Sequence, residues 1–122
     1  MSKLYVTLDH FAEFLAKAKR IDVNADFEAS VSEICKYAVY VFHGSESLGE
    51  CRVRMMQRRL VITDQYSREK GDLRTTEVVT AYVMDDTRAF VAFTRSGSSY
   101  IVADKHSELF CAINDDLRNK EA

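Results

Sequence analysis

Arg52 and Arg54, separated only by Val53, and the adjacent pair Arg58-Arg59 are the side chains whose type and spacing could do chemistry. On an extended backbone residues i and i+2 share a face, so Arg52 and Arg54 point the same way. Guanidinium groups donate paired, planar hydrogen bonds to phosphate or carboxylate oxygens, and such a face is a candidate site for phosphate or an acidic partner. The other reactive residue types are scattered. Cys35, Cys51 and Cys111 are odd in number, far apart and without C-x-x-C spacing, which argues against a disulfide framework and a zinc site. His10, His43 and His106 fall in different elements, none with a second ligand at metal spacing. His43-Gly44-Ser45 offers nucleophile-like residue types without a G-x-S-x-G elbow. Asp85 and Asp86 are acid-base candidates by type, but a polar turn accounts for that pair better. No catalytic residue, metal ligand or cofactor is assigned, and the reading leans away from an enzyme.

The 122 residues suit one domain with a single core, residues 1–122, divided into a helical part (8–36) and a sheet with a closing helix (37–118). A net charge of −2 gives no global attraction to nucleic acid, and acidic flanks around the arginines disfavour a continuous phosphate track. Met1-Ser2-Lys3-Leu4 lacks the apolar core of a secretory signal, and no apolar stretch reaches the roughly 18 residues of a membrane span. The expected compartment is the cytoplasm.

Leu8, Phe11, Ala12, Leu15 and Ala18 recur at helical spacing and predict a helix over 8–20, capped by Thr7 or Asp9. Phe27, Val31, Ile34 and Cys35 define a second helix, opened by Asn24 or Asp26. From Tyr37 the period becomes two. Strands are expected at Tyr37–Phe42, Cys51–Met55, Arg58–Thr63, Thr75–Met84, Arg88–Thr94 and Ser98–Ala103, with polar turns at 44–49, 67–72, 85–86 and 96–97. Met56-Gln57 is a poor turn, so 50–63 reads either as two strands or as one long bent strand. Gln65–Lys70 is a doubtful further strand. Leu109, Phe110, Ile113 and Leu117 share a face of a last helix, for which Asp104 is a natural cap.

This order of strands, a longer strand ending in an acidic pair, two hairpin strands and a closing helix resembles the pleckstrin-homology-like superfold over residues 37–118. That group includes phosphotyrosine-binding domains, the third lobe of FERM domains and the tail-homology domain of class I myosins. Arg58 to Asp64 looks like the second strand of the myosin-tail and FERM versions, and Tyr100 to Asp104 with its helix is similar to their ending. The resemblance implies an α+β domain, a strongly bent antiparallel sheet or partly open barrel with a C-terminal capping helix, here preceded by two amphipathic helices. It also implies an adaptor function. Arg52-Val53-Arg54 is similar to the basic pair of phosphoinositide-binding members, although no lysine stands at the end of the preceding strand. Peptide-binding members add an extended segment to a sheet edge beside the closing helix, which would place a groove at Tyr100, Phe110 and Ile113.

A second resemblance competes. With Lys3–Thr7 as a first strand, the order resembles the helix-grip fold, which implies a cone-shaped pocket for a small apolar molecule and leaves room for an enzyme. The preferred expectation is a non-catalytic module that binds a protein partner, with anionic phospholipid as a further ligand and homodimerisation open through an exposed edge.

Overall fold

The computed structural model describes residues 4–64 and 72–121, with side chains described through Asn119 except that of Asp64. The expected turn at 67–71 and the doubtful strand at 65–70 lie outside them. The chain order is α1 (Leu8–Lys17), β1 (Ala18–Ile21), α2 (Ala25–Ile34), β2 (Val39–His43), β3 (Glu46–Met56), β4 (Arg59–Asp64), β5 (Asp72–Met84), β6 (Ala89–Thr94), β7 (Ser99–Ala103) and α3 (Glu108–Glu121). The fold is α+β: β2 to β7 run as an antiparallel meander that closes into a six-strand barrel because β7 pairs with β2. A C-terminal helix and two short N-terminal helices complete it, and β1 is added outside the barrel on β5.

Strand parity explains where the helices go. In β2, β6 and β7, the residues Val39, Val41, Phe90, Ala92, Tyr100 and Val102 face the barrel interior with Leu60, Ile62 and Val78. Their neighbours Phe42, Val91, Ile101 and Ala103 form a second cluster with Phe14 of α1 and Leu109, Phe110 and Ile113 of α3. These strands are thus buried on both faces, which accounts for their near-continuous apolar sequences. A six-strand barrel is too narrow to leave a lumen once large side chains point inward. Phe27, Val31 and Ile34 of α2 and Cys35 at its C-cap belong to the interior cluster, and Phe27 meets Phe90 edge-on at 5.4 Å. The helix joining the barrel interior is therefore α2, while α3 lies with α1 against the outer face of β2, β6 and β7.

Several boundaries differ from the sequence reading. The expected first helix stops at Lys17 and residues 18–21 become a strand, because pairing with Ala81–Met84 of β5 outweighs helical periodicity. The anchor of α1 is Phe14, with no exposed surface, whereas Leu8 is 88% exposed and Leu15 39%. Thr7 and Asn24 cap α1 and α2 as expected. The last helix is capped by Ser107, whose Oγ accepts from Phe110 N–H at 3.1 Å, and Asp104 instead accepts from His106 N–H. Among the described residues, 4–7 form an isolated bridge between Tyr5 and Glu46 and no strand of the kind the helix-grip order needs.

Residues 46–64 are two strands, joined by a two-residue turn at Gln57-Arg58. Both turn residues have positive φ, 52° and 63°, the geometry of a type I′ hairpin. This turn ordinarily carries Asn-Gly, and each non-glycine residue in the left-handed region costs roughly 1–2 kcal/mol. Replacing Gln57→Asn together with Arg58→Gly should stabilise the fold by about 1 kcal/mol, seen as a higher urea midpoint at unchanged slope. A lower midpoint would contradict the turn assignment.

Candidate binding face

The outer surface of β3, β4 and the first half of β5 carries no helix, and it is where the arginines collect. Cys51, Val53, Leu60 and Ile62 are buried toward the interior, so Arg52, Arg54 and Met56 of β3 and Arg59, Val61 and Thr63 of β4 point outward. The cross-strand register then sets the pattern. Arg54 lies opposite Val61, and Val61 lies opposite Arg74 of β5. Met56 lies opposite Arg59, and Arg59 opposite Glu77. Val61 is only 2% exposed although it faces outward, and it lies with Met56, Gln57, Arg59 and Arg74 around a recess of about 100 Å³. Long arginine stems can cover such a residue while their charged ends stay in water.

Among the described residues no carboxylate forms an ion pair with Arg52, Arg54, Arg58, Arg59 or Arg74. Glu77 is directed to Arg95 at 3.9 Å, and Asp72 accepts from Thr63 Oγ1 at 2.7 Å. Arg54 Nη1 sits 3.0 Å from Met56 Sδ, a weak acceptor that leaves the guanidinium's other donors open. The structure therefore splits the four arginines read from sequence: Arg52, Arg54 and Arg59 share the face, while Arg58 projects from the hairpin tip. It also adds Arg74, whose place on this face follows from the β4–β5 register. Arg74 was not singled out from sequence, because the pairing of β4 with β5 was not readable there.

The groove expected at Tyr100, Phe110 and Ile113 does not assemble. Tyr100 faces the barrel interior and stacks on His43 at 4.6 Å, whereas Phe110 and Ile113 pack on the opposite side of β7, Phe110 against Tyr40 at 4.2 Å. Moreover, β7 is paired on both sides, with β2 and β6, so it has no edge for a peptide. Asp86 accepts from the Arg88 and Glu108 N–H groups, both at 2.9 Å, which ties the β5–β6 turn to the start of α3. His10, 4% exposed, accepts the Thr7 N–H on Nδ1 at 3.2 Å, and its Nε2 lies 2.6 Å from Asp116 Oδ2, joining α1 to α3. Among the described residues no group of three or more His, Cys, Asp or Glu side chains could hold a metal ion. No described helix is long and apolar enough to cross a membrane. No family model, curated protein or solved structure matches the chain.

Burial pushes the Cys35 thiol up from 9.0 to about 12. The folded state therefore holds this proton over a range in which the unfolded chain has lost it. The associated stability is complete below pH 9 and is lost as pH rises toward 12. Burial also raises Tyr100 above 10.0, which adds in the same direction at the upper end. The unfolding free energy should fall as pH rises from 9 to 10.5, and Cys35→Ala should flatten that slope. At pH 8 an aromatic disulfide reagent should modify one thiol in the native protein, Cys111, and three after denaturation, because Cys35 and Cys51 are buried.

Proposed function

We propose that the protein is a non-catalytic binding module that recognises an acidic segment of a protein partner through the arginine face of β3, β4 and β5. One observation carries this reading: Arg54, Arg59 and Arg74 surround outward-facing Val61 without a carboxylate partner among the described residues. Several guanidinium groups on one sheet face can engage carboxylates in paired, planar hydrogen bonds. The mixture favours a protein over a lipid surface. Met56 is 43% exposed beside the arginines, and Arg and Met are enriched at protein interfaces. The closed barrel with its C-terminal helix is consistent with a pleckstrin-homology-like adaptor, and this module would act from its sheet face.

The alternative, an internal pocket for a small apolar molecule, has less behind it. Phe27, Val41, Leu60, Phe90 and Val102 in the barrel interior have no exposed surface. A ligand there would have to displace packed side chains, at a cost of several kcal/mol.

A glutamate-rich octapeptide should bind at low salt, and its affinity should drop steeply with ionic strength because the contacts are largely Coulombic. Arg54→Glu with Arg74→Glu should weaken it at least tenfold at unchanged circular dichroism, since both side chains are exposed. Equal binding by the variant would remove the face as the site. Preferential co-sedimentation of the wild type with phosphatidylserine or phosphoinositide vesicles would move the function to membrane recognition.

A further inference from the structure

We propose that the open edge of β1 receives an extended acidic segment of a protein partner, which joins the sheet as an added strand beside Lys19 and Arg20. This deepens the binding-module reading and rests on it for the partner's acidic character. The location comes from edge accounting. In the closed barrel β2, β3, β4, β6 and β7 each have a neighbour on both sides over part or all of their length, and β5 has three partners. Among the described residues β1 is the one strand with a single neighbour.

Hydrogen-bond alternation identifies which groups are open. Lys17 C=O accepts from Asp85 N–H at 3.0 Å, so the main-chain groups of Lys19 and Ile21, two and four residues on, face β5. Those of Ala18 and Arg20 face away. The Ala18 N–H is already given to Leu15 C=O at the end of α1. The free side therefore presents the Ala18 carbonyl and both the amide and the carbonyl of Arg20, groups that an incoming strand would pair.

Charge selects the occupant. Lys19 and Arg20 are exposed and form no ion pair among the described residues, whereas Lys17 meets Glu108 at 3.3 Å. A second copy pairing antiparallel on this edge would set these cations against each other, and like charges across strands are destabilising. An acidic strand reverses the sign. The edge is also continuous with the arginine face. Ala81 pairs with Ile21 on one side and Ala92 of β6 on the other, so β1 lies on the β4 side of β5. The Arg58 carbonyl accepts from Val78 N–H at 2.7 Å, three residues before Ala81. A strand docked on β1 therefore extends toward the hairpin tip that carries Arg58.

Edge cations also serve to keep strands from pairing at all, and the test separates the two roles. The probe is the capped peptide Thr-Val-Glu-Glu-Val-Thr, added to the isotope-labelled full chain at physiological salt. The Arg20 amide should exchange its hydrogen rapidly in the free protein and at least tenfold more slowly at saturating peptide. The amides of Lys19 and Ile21, already bonded to β5, should change little. Lys19→Glu with Arg20→Glu should weaken binding at least tenfold at unchanged circular dichroism. Binding with Arg20 exchange unaltered, and shifts confined to Arg54, Arg59 and Arg74, would overturn strand addition and leave the arginine face standing. Failure to bind by a chain that still takes up the glutamate octapeptide would overturn the edge proposal alone. Failure with both peptides would overturn both.

Discussion

The length of β5 is the constraint on which the rest of this structure depends. Its first half pairs with β4, and its second half pairs with β6 on one side and β1 on the other. One thirteen-residue strand thereby joins three partners, and its pairing with β6 begins at Val78, one residue after its last pair with β4 at Glu77. The β2–β7 pairing closes the barrel, while residues 52–56 of β3 and 72–76 of β5 pair with β4 alone. Closure also divides the surface. The β2, β6 and β7 side is covered by α1 and α3, and the β3, β4 and β5 side is left for side chains that face solvent.

The distribution of arginine follows from that division. Strands buried on both faces cannot carry a charge without a partner, and β2, β6 and β7 have none. The uncovered side has room for Arg52, Arg54, Arg59 and Arg74, which alternate with core residues such as Val53 and Leu60. Arg58 stands at the hairpin tip in a backbone conformation that favours glycine. Arg52, Arg54, Arg59 and Arg74 therefore sit on the sheet face, with Arg58 at the hairpin tip and Glu77 opposite Arg59.

The sequence made part of this legible. The apolar runs read at 37–42, 88–94 and 98–103 carried their strands to within one or two residues, because burial on both faces leaves few polar positions. The caps Thr7 and Asn24 announced their helices through local chemistry. By contrast, Ala18-Lys19-Arg20 fell within the expected helix, and only contact with β5, sixty or more residues later, makes 18–21 a strand. Gln57-Arg58 lacks turn residues and becomes a turn because closure sets the register on either side. The arginine pair at 52 and 54 was readable from parity, whereas Arg74 required the β4–β5 register. Tyr100, Phe110 and Ile113 looked like neighbours along the chain, but β7 separates them: adjacent positions on a strand buried on both faces belong to different cores.

The most direct measurement of the central claim is nuclear magnetic resonance of the arginine Nε–H groups during titration with the glutamate octapeptide. The expected result is saturable shifts at Arg54, Arg59 and Arg74, with Arg88, which is held by Asp104 at 3.4 Å, unchanged. Uniform small shifts at every exposed arginine would reduce the face to a solvated surface. Saturable shifts at Arg88 or Arg95 with Arg54, Arg59 and Arg74 unchanged would contradict the account.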